Sequence, residues 1–226
     1  MLWVEEGRSG EVFRPFFNNW LGPEGCAAIE SVAMDMNTAF DLEVREHCPQ
    51  AQVVYDLFHV VAKFGREVID RVRVDQAKQL RDNPKSRQVI KRSRWLLLRN
   101  PENLSEGHDV RLSERLEANQ PLNTVYVMKA AMKDLWFAPD EQEAGQRWNE
   151  WYKQSQESGI KALKQFADKL KGYVSGIVAS VTHRLNTSVL EGMNNNIKVI
   201  KRMACGYRND DYFLLKIKAA FPGKVR

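Results

Sequence analysis

Short apolar runs separated by turn residues open the chain. Residues 1–4, "MLWV", predict a strand closed by the turn from Gly7 to Gly10. In "EVFRPFFNNWL", Val12, Phe13, Phe16, Phe17 and Trp20 fall on or near one helical face, and Gly22 and Pro23 end that helix. "IESVAM" predicts a second strand ending at Asp35, and residues 37–47 a helix started by Asn37 or Thr38. Pro49 marks the next turn, and "AQVVY" predicts a third strand ending at Asp56. Strands that alternate with helices predict parallel pairing and an α/β core.

From Leu57 onward the pattern is helical. Residues 58–81 carry an apolar stripe of Phe58, Val61, Phe64, Val68, Ile69 and Val72. "SRQVIKRSRWLLL" follows Pro84, then come "SEGHDVRLSERLEA" and "LNTVYVMKAAMKDLWF", and then helices over 140–157 and 160–179. Trp148 and Trp151 stand one helical step apart and are expected to pack in the core. Two or three strands are too few for a well-covered parallel sheet, so the chain reads as beginning inside a domain whose first strands lie upstream.

The 226 residues suit one domain, or one domain carrying a large insertion, and carry a net charge of +5. That charge is concentrated. Residues 60–100 hold twelve Lys or Arg against Glu67, Asp70, Asp75 and Asp82, which makes the window +8 and the remainder −3. Such a block predicts a surface for a phosphate backbone, or else a solvated helix face. Cys26, Cys48 and Cys205 lack metal-ligand spacing, which points to a reducing compartment without a disulfide framework. No apolar run is long enough for a membrane span, and the N-terminus lacks the basic lead and apolar core of a signal peptide. Gly65, Gly172 and Gly176 form no phosphate-loop pattern, which argues against nucleotide hydrolysis.

The candidate chemistry sits on three acids. Asp35 and Asp56 each follow a short apolar strand, where a carboxylate is placed for a ligand or metal and equally for a helix cap. Glu191 heads "EGMNNNIKVIKR", predicted to be helical to about residue 201. On that helix Glu191, Asn194, Asn195 and Lys198 share one face, and Lys201, Arg202 and Arg208 extend the polar track. The bland alternative is a capped, solvated helix start. His59, three residues after Asp56, reads either as a core or cap histidine or as an auxiliary site residue. His47, His108 and His183 have no comparable setting.

Three blocks, "SVAMDMNTAF", "AQVVYDLFHVVAKF" and "SVLEGMNNNIKVIKRMACGYRN", occur in the order and spacing of the ISL3 family of DDE transposases, which the chain resembles over nearly its whole length. The resemblance implies an RNase H-like α/β fold lacking its first strands, with a large, mostly helical insertion. It divides the chain into a partial core (1–60), a helical insertion with the basic region (61–180) and C-terminal core helices (181–226). It also implies DNA cleavage and strand transfer at terminal inverted repeats, supported by two Mg²⁺ or Mn²⁺ ions. Asp35 matches the second acid of the triad and Glu191 the third, and both would be metal ligands. Asp56 and His59 match an Asp/Cys-x-x-His signature that several related transposase families place one strand after the second acid, which implies an auxiliary role; Asp56 stands open as an alternative second acid. Asn194, Asn195, Lys198, Lys201, Arg202 and Arg208 would touch DNA.

The family's first aspartate lies on a strand upstream of "LWVEEGR" and has no counterpart among these residues, so the resemblance implies a truncated, inactive catalytic region. It further implies a bacterial, cytoplasmic, nucleoid-associated protein that forms homo-oligomers or associates with full-length transposase. The competing expectation is a DNA-binding or dimerising remnant without catalysis.

Overall fold

The computed structural model describes residues 3–99, 112, 116–117, 119–185 and 188–222, with the backbone alone at 188–190. Most of the predicted helix in "SEGHDVRLSERLEA" lies outside the described residues. The fold is mixed α/β and mostly helical, with a small parallel sheet of two strands, β1 (Ser31–Met34) and β2 (Gln52–Tyr55). The chain clusters into two compact units, one formed by 1–54 with 185–226 and the other by 55–184.

In the first unit, α1 (Gly10–Pro15) begins at Ser9, whose hydroxyl accepts from the Val12 amide. It runs into a π-helical turn, Phe16–Leu21. Gly22, at φ 68°, breaks the helix, as predicted, but Pro23 then sits at the start of a further helix, α2 (Gly22–Ala27). Proline suits a first helical turn, where its missing N–H has no intrahelical partner to lose. The predicted first strand is not present at Trp3 and Val4, while residues 1 and 2 lie outside the described residues. Trp3 instead packs its ring 6.1 Å from Phe16, in a cluster with Phe13, Phe17 and Phe40. An apolar run needs a pairing partner to become a strand, and here Trp3 packs against an aromatic ring instead.

Helix α3 (Thr38–His47) is capped by Asn37, which accepts from the Ala39 amide. It is tied to α1 by a bidentate pair in which Arg14 donates from Nε and Nη2 to Glu43 at 3.1 and 2.7 Å. Glu43 is buried, and the Arg14 guanidinium holds its carboxyl below the usual range. Cys26 and Cys48 are buried free thiols; burial and the neighbouring Cys26 push Cys48 up to about 11. Two further helices belong to this unit, α12 (Ser188–Met203) and α13 (Asp210–Ala220).

The second unit is helical. Its entry is an almost continuous rod: α4 (Leu57–Phe64), a π-helical stretch (Gly65–Ile69) and α5 (Asp70–Gln79). Phe64, Val68 and Ile69 are buried along it, and Phe64 meets Phe166 edge-on at 5.2 Å. Glycine at 65 allows a close approach: a Cβ there would come within 2.8 Å of Leu98. After α6 (Pro84–Arg92) and α7 (Arg94–Leu98) come α8 (Gln120–Lys133), α9 (Glu141–Glu157), α10 (Lys161–Leu170) and α11 (Val174–Ala179). Trp148 and Trp151 are buried, as their spacing predicts, and the Trp151 indole N–H donates to the Met128 carbonyl at 2.9 Å.

Lys129 is the exception in this apolar interior. It is buried, and its ammonium donates to the carbonyls of Leu97 and Arg99 at 2.8 and 3.0 Å, beside the Tyr126 ring. Burial, with the like charge of Lys133, pulls its pKa down from 10.5 to about 8. The unfolded chain keeps this proton up to about pH 10.5, so it binds more protons than the folded chain between pH 8 and 10.5. Stability should therefore rise with pH through that window and be flat below it. Urea unfolding of the protein and of Lys129→Met across pH 7–11 checks this: the difference between them should change only above pH 8. A pH-independent difference would mean that the amine is not desolvated.

Candidate active site

Asp35 is the first residue past β1 and is solvent-exposed. Its backbone carbonyl accepts from the Asn37 amide at 2.8 Å, so the chain turns immediately into the capped start of α3. Asp56 occupies the corresponding place after β2 but is more enclosed. Its carboxylate caps α4, with Oδ1 accepting from the Phe58 amide at 3.0 Å and Oδ2 lying 3.4 Å from His59 Nδ1. The cap orients the carboxylate, and the histidine one turn on shares it. His59 keeps 42% of its side chain exposed and meets the Phe58 ring edge-on.

The backbone leading into this pair is held by a group that the sequence does not advertise. The Trp136 indole N–H donates to the carbonyl of Tyr55, the residue before Asp56, at 3.0 Å. The two residues lie 81 positions apart, so no local periodicity marks the contact. Phe58 and Phe137, each next in sequence to a member of these pairs, are exposed.

Glu191 lies in the first turn of α12, half-buried. Asn194, Asn195, Lys198, Lys201, Arg202 and Arg208 are all exposed. Lys201 sits 5.5 Å over the Phe213 ring, and Arg202 Nε donates to the Lys198 carbonyl at 3.4 Å. Lys198, Lys201 and Arg202 line a shallow depression with Cys205 and Gly206. There the chain leaves α12 through Cys205 (φ 52°) and Gly206 (φ 98°), whose amides return to the carbonyls of Arg202 and Lys201.

Among the described residues, the one group of three acid or histidine side chains whose ligand atoms lie within 4.8 Å of one another is Glu43, Glu46 and His47. Arg14 already neutralises Glu43, and His47 Nε2 lies 3.4 Å from the same carboxylate while its ring stacks on Phe17. This group is a structural ion-pair network, with a guanidinium where a cation would otherwise compete.

The basic window divides once its pairs are identified. In the first half, Asp70 takes Arg73 and Arg94, Asp75 takes Arg71 and Lys78, and Glu67 takes Lys169. Arg81, Lys85, Lys91, Arg92 and Arg99 are exposed and have no ion pair among the described residues. Lys63 and Arg66 also have no ion pair among the described residues, so the unneutralised positive charge extends from the first half of the window into 81–99.

Asp35 and Asp56 thus follow strands, Glu191 heads a helix that carries exposed amides and cations, and residues 81–99 carry exposed cations. The chain belongs to the ISL3-type DDE transposase family, whose profile, described as "Transposase", matches residues 1–217. It is 58% identical over all 226 residues to the transposase for insertion sequence element IS1001 of Bordetella parapertussis, covering 55% of that protein. It is 26% identical over 230 aligned residues to the transposase for insertion sequence element IS1557 of Mycobacterium tuberculosis, covering 92% of this chain and 51% of the relative. The chain therefore spans about half the length of these relatives. No solved structure matches it significantly. No helix among the described residues is long and apolar enough to cross a membrane.

Asp56 has a cap role that can be separated from any role in chemistry. Asp56→Ala should cost about 1 kcal/mol in urea unfolding, and Asp56→Asn much less, because the amide oxygen can still accept from Phe58. Equal losses in the two variants would show that the carboxylate charge, rather than the cap, supports the fold.

Proposed function

We propose that this chain is the DNA-handling and acid-bearing region of an insertion-sequence transposase, built on an RNase H-like core into which the helical unit is inserted. The observation that carries this reading is the family match over 1–217 together with 58% identity to an insertion-sequence transposase. In this reading Asp35 and Glu191 are the second and third acids of the catalytic set, and Asp56 with His59 has an auxiliary role. The boundaries 1–60, 61–180 and 181–226 describe the functional segments. The partners are the transposon's terminal inverted repeats and further transposase chains, in the bacterial cytoplasm at the nucleoid.

The donor chemistry fits Mg²⁺ or Mn²⁺. Asp35 and Glu191 offer hard carboxylate oxygens, and such ions take one or two protein carboxylates with phosphate and water completing the shell. When bound, the ions activate water and stabilise the leaving 3′ oxygen of a phosphodiester. The protein's own part is positional. The Asn37 cap sets the turn that presents Asp35, and the first turn of α12 presents Glu191. Asn194, Asn195 and Lys198, on the same helix, are exposed to meet sugar and phosphate atoms, with Lys201, Arg202 and Arg208 continuing the track.

The cations left unpaired along 81–99 favour a second reading, in which the 226-residue chain binds DNA without cutting it. One experiment separates the two. Supercoiled plasmid and duplex DNA are incubated with the chain, Glu191→Gln and Asp35→Asn in Mn²⁺ at several salt concentrations. We expect DNA binding that weakens steeply with salt and is unchanged in both variants, without cleavage. Nicking that disappears in Glu191→Gln would show that the chain holds a complete catalytic set. Absence of binding even at low ionic strength would remove DNA as the partner.

A further inference from the structure

Tryptophan is large and apolar and normally finds cover in a folded protein. Trp148 and Trp151 are in the core, Trp136 is tethered to Tyr55, Trp3 lies against Phe16, and Trp20 stacks on Phe16 at 5.6 Å. Trp95 differs. It is 68% exposed and makes no ring–ring contact among the described residues.

That exposure is built in. Leu96 and Leu97, the next residues of α7, are buried, which sets the helix's rotation and leaves Trp95 facing outward. The Lys129 ammonium grips the carbonyls of Leu97 and Arg99 at the far end of the helix, fixing its position. Over the ring, Arg94, held by Asp70 at 2.9 and 3.0 Å, places its guanidinium carbon 5.3 Å from the indole centroid, so a base would stack on the indole against this cation. Within four residues of Trp95 in sequence, Lys91, Arg92 and Arg99 are exposed cations with no ion pair among the described residues.

We propose that Trp95 is a stacking site for an unpaired base of DNA, served by the flanking cations as phosphate contacts. This rests on the reading that the chain binds DNA. The surrounding positive charge selects a polyanion over an apolar protein surface. An intact duplex satisfies the cations through its phosphates, but its bases are stacked on one another and leave the indole nothing to cover it. A base out of the helix, in a single strand, a flap or a distorted junction, supplies the missing π-face, and stacking of this kind tolerates any sequence. Trp95 thereby distinguishes opened from closed DNA, a discrimination that charge alone does not provide.

The test uses the 226-residue chain with two labelled probes of the same sequence, a closed duplex and that duplex carrying an unpaired 2-aminopurine flap. Affinity is read by anisotropy and stacking by 2-aminopurine quenching. Trp95→Ala should weaken binding to the flap probe roughly tenfold, abolish the quenching and leave closed-duplex binding unchanged. Trp95→Phe should retain part of the quenching. The pair Lys91→Ala and Arg92→Ala should weaken both probes and flatten the salt dependence. If Trp95→Ala binds both probes as the unmodified chain does, or quenching persists without the indole, the stacking site is wrong while DNA binding stands. If the unmodified chain binds neither probe at low salt, the DNA reading itself fails and the stacking site falls with it. The side chain is exposed, so its truncation leaves the core intact; equal urea midpoints of the variants check this.

Discussion

One buried ammonium group sets much of the geometry of the helical unit. Lys129 Nζ draws together the end of α7 and the middle of α8 by taking two carbonyls that the short helix leaves without intrahelical partners. An apolar side chain at 129 could fill the same space but would strand those oxygens out of water, a cost comparable to losing hydrogen bonds to a charged group. The contact is therefore specific rather than merely space-filling. It fixes the segment after α6, and with it the direction in which Arg94 and Trp95 are displayed. The same short helix is approached by Gly65, where a Cβ would come within 2.8 Å of Leu98 and press on it.

Acidic residues act across the molecule chiefly as organisers of cations. Glu43 absorbs Arg14 and fastens α1 to α3; Asp70 absorbs Arg73 and Arg94; Glu67 reaches Lys169. Exposed pairs such as Arg71 with Asp75 add little stability by themselves. Their larger effect is on the field outside the protein, because each neutralised cation removes a point of attraction for phosphate. What remains, on Lys63 and Arg66, on 81–99 and on α12, is positive charge without an acidic partner among the described residues.

Much of the secondary structure was legible because it is local. The strands at Ser31–Met34 and Gln52–Tyr55 are short β-branched or apolar runs between turn residues, and the rod from Leu57 to Gln79 follows its apolar stripe. Asn37 and Asp56 were recognisable as caps from residue type and position. Trp3 and Val4 misled because a strand depends on a partner that local pattern cannot supply. Pro23 misled because the residue that stops one helix also starts another. The Trp136 bond to Tyr55 and the Arg94 clamp on Asp70 link residues far apart in the chain, and neither leaves a local trace. The acids were nominated by resemblance and position, whereas the outward set of Trp95 follows from the burial of its two neighbours and from a lysine in another helix.

The three cysteines give this fold a built-in reporter. Cys26 and Cys48 are enclosed, and the Cys48 thiol resists ionisation, while Cys205 stands in solvent just past the end of the glutamate-headed helix. Thiol reagents act on accessible thiolate, so the native chain accepts one maleimide and the unfolded chain accepts three. The stoichiometry of labelling thus measures the folded fraction. A dye on Cys205 lies beside Lys201 and Arg202, where an arriving phosphate backbone would change its environment.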